Sequence, residues 1–203
     1  MNRNINLFNN WALKDKDKGM EKGHASSVEK MISLIPEKIT SSKFSFIDYG
    51  CGNGWVVKKV GSVSNCILSV GLDGAPEMIK KAKKNDKKNT YYNVDIENWE
   101  DNSKYDVVFS MEFVYYLKNP SNLIHNIFEK VLKEKGFLVV GIDHYLENKE
   151  SLSWGEDLGL DITTLSKKDW YNIFIDAGFS NVNMFCYGEH ENWGGTLIIS
   201  GSK

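Results

Sequence analysis

The chain is poor in several residue types that narrow a function quickly. Arg3 is its only arginine, so the usual bidentate reader of phosphate and guanine is nearly missing and a nucleic-acid substrate is disfavoured. A formal net charge of −2 gives no bulk attraction to nucleic acid or to an anionic membrane. Cys51, Cys66 and Cys186 are odd in number, far apart and without CxxC spacing. They argue against a disulfide framework and lead us to expect reduced thiols in a cytoplasmic protein. No apolar run approaches the roughly 18 residues that span a bilayer, and residues 1–6 lack the apolar core of a signal peptide.

What is present is a pattern of strands and helices. A length of 203 residues suits one α/β core. From Phe44 onward strand-like apolar runs alternate with helical periodicity, as in stacked βαβ units on a parallel sheet. After the first run come Ile67–Asp73, Thr90–Asp95, Tyr105–Ser110, Gly136–Asp143, Phe179–Tyr187 and Gly195–Ser200, the last two with no helix between them. Asn119 and Pro120 begin a helix whose stripe runs from Leu123 to Leu132, and Ser166 begins another that Gly178 stops. Residues 1–43 stand apart as an aromatic-rich helical segment containing Gly19 and Gly23.

The run most suggestive of a ligand is Phe44–Gly54, which ends in Asp48 and glycines at 50, 52 and 54. A strand that stops at a glycine turn lets backbone approach a ligand and points N–H groups at it. The dinucleotide fingerprint needs a glycine where Trp55 stands, so the spacing is GxGxG and a nucleotide-dependent oxidoreductase is disfavoured. Further acids close the next strands at Asp73 and Asp95, where open α/β sheets bind ligands. Asp73 serves equally well as a cap for the helix near Ala75.

With its acid two residues before the first glycine, this run resembles motif I of the class I S-adenosylmethionine-dependent methyltransferases. The resemblance is firm over residues 44–143 and continues in pattern to Lys203. It implies a three-layer, Rossmann-like, seven-stranded α/β sheet with the last strand antiparallel and helices on both faces, over residues 44–203. Residues 1–43 are then an N-terminal helical extension, read either as a lid hinged at Gly19 and Gly23 or as an extra packed helix. It also implies S-adenosyl-L-methionine as cofactor and S-adenosyl-L-homocysteine as product. Asp48 would lie near the cofactor's amino group, Asp73 at the ribose, and Asp95 with Ile96 at the adenine. Trp11, Gly50, Cys51, Gly52, Asn53, Gly74, Met78 and Met111 complete the expected cofactor set.

Methyl transfer from a sulfonium needs alignment first and a general base only when the acceptor holds a proton. His144, directly after a strand end, Glu112 and Tyr115 are the candidates for catalysis, and Met20, His24, Tyr116 and Tyr145 for the acceptor pocket. Ser110–Phe113 lacks the Asn/Asp-Pro-Pro-aromatic run of amide and base methylases, and no cysteine is placed as a pyrimidine nucleophile. A small-molecule acceptor methylated on oxygen or nitrogen, less readily on sulfur, is expected. The competing reading is a catalytically silent S-adenosylmethionine-binding partner or regulatory subunit. His24 and His144 stand at no metal-ligand spacing, and no metal is expected.

Overall fold

The structure is a computed structural model, and it describes residues 2–100 and 102–203. Helices α1 (Arg3–Leu13) and α2 (Asp17–Ser33) and the short α3 (Glu37–Thr40) precede the sheet. There follow β1 (Phe44–Tyr49), α4 (Trp55–Gly61), β2 (Cys66–Asp73), α5 (Pro76–Asn85), β3 (Thr90–Asn93) and β4 (Tyr105–Met111). The chain closes with α6 (Pro120–Asn126), β5 (Leu132–Ile142), α7 (Trp154–Leu158), α8 (Lys167–Asp176), β6 (Ser180–Tyr187) and β7 (Thr196–Ser202). The strands form one sheet in the order β3-β2-β1-β4-β5-β7-β6. Only β7 is antiparallel to its neighbours, β5 and β6.

Alternation along the strands decides which helix each side chain meets. On one face Ile47, Val108, Leu138 and Ile199 pack with Leu123, Ile124, Trp170 and Phe174, which belong to α6 and α8. On the other, Phe46, Val107, Val139 and Ile198 pack with Val28 and Met31 of α2 and Val56, Val57 and Val60 of α4. Because the centre of the sheet is covered on both faces, β1 is buried at every position, as a continuous apolar strand should be.

One expectation is corrected. The helix after Asn119 is α-helical only to Asn126, widens into an i→i+5 turn over Ile127–Val131, and passes straight into β5 at Leu132, four residues earlier than expected. The partners explain this: Tyr105 pairs with Leu132 while Val107 pairs with Phe137, so the intervening residues of β5 loop out as a bulge with Lys135 at φ 66°. Gly19 and Gly23 both lie within α2. The break falls at Lys14–Lys16, where Asp15 takes φ 56°.

The bulge also delivers Lys133 to a clamp between strands. Its Nζ donates to Asp106 Oδ2 at 2.7 Å, and that oxygen also accepts the Ser45 backbone N–H at 2.7 Å and its hydroxyl at 2.7 Å. Burial opposes the charge on Asp106, yet Lys133 and Ser45 together hold its carboxyl below the ordinary range. Among the described residues, no helix is long and apolar enough to cross a membrane.

A depressed carboxyl contributes stability that is present above its unfolded pKa and lost as pH falls through the folded one. Asp106→Asn is therefore expected to cost about 1–2 kcal/mol at pH 7, with the gap to wild type narrowing below about pH 4. Urea melts at several pH values measure it, and a gap that does not change with pH would contradict the clamp.

Candidate active site

At the C-terminal ends of β1 to β4 lies a cavity open to solvent. The sheet forms its floor, and α1 with the first half of α2 forms its roof.

The floor begins at the glycine turn. Gly50 has φ 80°, and a Cβ there would stand 2.5 Å from Phe113 Cβ, so both the backbone conformation and the contact require glycine. Gly52, at φ 54°, has nothing within 4 Å of a built Cβ and leaves bare backbone beside the cavity. The amides of this turn are used differently from the sequence expectation. Gly50 and Cys51 donate to Leu72 O, both at 2.9 Å, and Gly52 donates to Asp73 Oδ2 at 2.9 Å. They fasten the turn to β2, so these three amides are not free for a ligand. Asp73 is also a cap, its Oδ1 accepting the Ala75 N–H at 2.7 Å. Each oxygen keeps a lone pair, and Asp73 still lines the cavity.

Asp48 lacks such partners. It is 2% exposed, and its Oδ1 has no hydrogen-bond partner among the described residues. Burial, reinforced by the charge of Asp73, pushes its carboxyl well above the ordinary range. A buried carboxyl oxygen without a partner is costly, and a cationic group in the cavity relieves that cost.

Cys51, Asn53, Gly74, Met78, Asp95, Ile96 and Met111 also line the cavity, as do Met20, His24, Glu112 and Tyr116. The exposed Asp95 caps the turn that follows β3, its Oδ1 accepting the Glu97 N–H at 3.2 Å. Four expected residues are elsewhere. Trp11 packs edge-on to Phe8, which itself lines the cavity, and against the cluster of Ala12, Ala75 and Met78. Tyr115 is fully buried behind Glu112 and donates to its Oε2 at 2.5 Å. Tyr145 donates to Gly194 O at 2.5 Å.

His144, the expected base, does not reach the cavity. Its Nδ1 donates to Ser151 O at 2.9 Å, Nε2 lies 2.7 Å from Thr164 Oγ1, and burial lowers its pKa. A neutral ring bonded at both nitrogens ties a loop together. The alternation of β5 is the reason: Val139, Gly141 and Asp143 continue toward α2, and His144 falls on the other side.

Asp143 meets His24 instead. Its Oδ2 lies 3.4 Å from His24 Nε2, while its backbone N–H donates to Glu112 Oε1 at 2.5 Å. Glu112 sits at φ 56°, a sparsely populated conformation for a side-chain-bearing residue. Burial and the charge of Asp143 push its carboxyl up to about 8. Burial opposes a charge on His24, but Asp143 and Glu112 outweigh it and raise its pKa.

Sequence reasoning missed the polar roof. Asn4 is 4% exposed, and its side chain donates to Asp161 O at 2.8 Å and accepts the Asp161 N–H at 3.0 Å. Asn53 Nδ2 donates to Asp17 Oδ2 at 3.0 Å, tying α2 to the glycine turn. Asn9 Oδ1 accepts the Glu77 N–H at 3.0 Å, so α1 caps α5. The density of asparagine in α1 is the signal that could have found it, since this residue is more common at caps than in helix interiors.

A protein-family profile described as "Methyltransferase domain" matches residues 40–178. The chain belongs to the methyltransferase-domain family. A ubiquinone biosynthesis O-methyltransferase of Rickettsia canadensis is 28% identical over 143 residues, which is 66% of this chain and 58% of that one. An uncharacterized methyltransferase of Schizosaccharomyces pombe is 31% identical over 138 residues, covering 64% of this chain and 50% of that one. The chain thus spans between half and three fifths of the length of these curated relatives. Among solved structures, a chain of the complex between the Haloferax volcanii Trm112 methyltransferase activator and a methyltransferase superposes with TM-score 0.84 at 24% identity, covering 96% of each chain. The N-methyltransferase NodS of Bradyrhizobium japonicum, solved with S-adenosyl-L-homocysteine, gives 0.69 at 17% identity over 88% of this chain and 86% of that one. The fold is therefore that of the class I, S-adenosylmethionine-dependent methyltransferases. The residues present fit that cofactor: an unpartnered buried acid suits its ammonium, and further acids at the next strand ends suit its hydroxyls and amino group.

Asn4→Ala is expected to loosen the roof, costing about 1–3 kcal/mol because the Asp161 backbone groups lose their partners. Limited proteolysis between α1 and α2 should become faster. An unchanged melting curve and cleavage rate would show that the amide does not hold the roof.

Proposed function

We propose that this protein is an S-adenosylmethionine-dependent methyltransferase acting on an oxygen or nitrogen atom of a small-molecule acceptor. The observation that carries this reading is the unpartnered Oδ1 of Asp48 in a cavity lined in succession by Asp73, Asp95 and Ile96. S-adenosylmethionine brings a methyl group already activated on a sulfonium, so the protein's work is mainly alignment and exclusion of water. Asp48 receives the ammonium, Asp73 the ribose hydroxyls, and Asp95 with Ile96 the adenine. Met111 lies under the methionine part, and the acceptor occupies the end walled by Phe8, Met20, His24, Glu112 and Tyr116. Helices α1 and α2 act as a lid that opens to admit both molecules.

A roofed cavity and the near absence of arginine favour a small molecule over a nucleic acid. The free thiols suit a reducing, cytoplasmic setting. A second reading, a cofactor-binding partner subunit without activity of its own, draws on the neighbour solved with its activator. The presence of His24 and Glu112 on the same cavity wall as the strand-end acids favours an enzyme.

Calorimetric titration should show S-adenosyl-L-homocysteine binding and no comparable binding of NAD. Asp48→Asn should weaken the former at least about tenfold, the loss of one charge-assisted contact. Tighter binding of NAD would overturn the assignment. Transfer of a labelled methyl group to a member of a phenol and amine panel distinguishes the enzyme from the silent partner.

A further inference from the structure

We propose that His24, Glu112 and Asp143 form a binding site for one divalent cation at the acceptor end of the cavity. These residues come from α2, from the end of β4 and from the end of β5, and one ligand atom from each lies within 4.8 Å of the others. His24 Nε2 and Asp143 Oδ2 stand 3.4 Å apart. Ligands about 2.1 Å from a four-coordinate ion stand about 3.4 Å from one another, so this spacing fits an ion between them. A proton shared by the pair would instead draw nitrogen and oxygen to about 2.7–2.9 Å.

A second observation points to the same place. Asp143 is 4% exposed and its Oδ1 has no hydrogen-bond partner among the described residues, although a second carboxylate, Glu112, lies beside it. The only cationic group that reaches Asp143 in an ion pair among the described residues is His24.

Glu112 is also held as metal ligands usually are. Glu112 Oε1 accepts the Asp143 N–H and Oε2 the Tyr115 hydroxyl, each at 2.5 Å, which leaves a lone pair on each oxygen. Such outer hydrogen bonds fix ligand orientation. One imidazole with two carboxylates suits Mn²⁺, Fe²⁺ or Zn²⁺ better than a soft ion. His24 and Glu112 line the cavity, so the open coordination positions face it beside Tyr116. A phenol or enol oxygen of the acceptor fits there as a further ligand. Cation binding stands independently of the proposed methyl transfer, whereas its use in holding the acceptor rests on that reading.

The test is Mn²⁺ binding to the full chain, stripped with chelator and followed by the electron paramagnetic resonance of free Mn²⁺, with and without S-adenosyl-L-homocysteine. One Mn²⁺ per chain is expected, displaced by Zn²⁺. Asp143→Asn and His24→Gln should each weaken it at least about tenfold, while S-adenosyl-L-homocysteine binding within about twofold of wild type shows that both variants fold. No binding at millimolar Mn²⁺, or equal binding by wild type and the folded variants, would overturn the site. Failure of the cofactor titration alone would count against the reaction and leave the cation result standing.

Discussion

Carboxylates crowded at one edge of the sheet set the terms for the rest of the structure. Asp48, Asp73, Glu112 and Asp143 sit at the ends of β1, β2, β4 and β5, buried or half-buried. Among the described residues none of them is ion-paired to a lysine, and only Asp143 meets a histidine. Burial raises the carboxyls of Asp48, Asp73 and Glu112. Such an arrangement is stable only if backbone amides, hydroxyls and ligands take up the charge. Asp73 is satisfied by Gly52 and Ala75, and Glu112 by Asp143 and Tyr115, while Asp48 and Asp143 each keep an oxygen without a partner.

The roof is positioned by the packing of α2 on β5. The side-chain ends of Met31 of α2 and Met111 of β4 occupy the space beside Gly141, where β5 carries no side chain. Val28 and Met31 follow His24 on the same side of α2 at helical spacing, and Ser27 bonds Thr196 of β7 at 2.8 Å. That docking brings His24 to Asp143. The N-terminal segment is thereby part of the cavity's chemistry as well as its cover.

The acids at 48, 73 and 95 are legible in the sequence because each is a local event: an apolar strand, its end, and a turn. The strand alternation and most helix starts are legible for the same reason. The bulge at Lys133–Gly136 is not, since it depends on how β4 and β5 align. His144 has the sequence position of a base because it follows a strand end. One step of strand alternation turns it away from the cavity and puts Asp143 beside His24 and Glu112. Tyr115 and Tyr145 are candidates on their chemistry and their proximity in sequence, but Tyr115 lies behind Glu112 and Tyr145 bonds the chain before β7 at Gly194 and Gly195.

By itself the sequence determined the family, the sheet and the strand-end acids that line the cavity, because motif I and those acids are written in short contiguous stretches. Only the tertiary structure decided which groups from distant segments join them. His24, Glu112 and Asp143 are separated by long intervals in the chain and converge through the packing of α2 on β5, a contact that no local periodicity encodes.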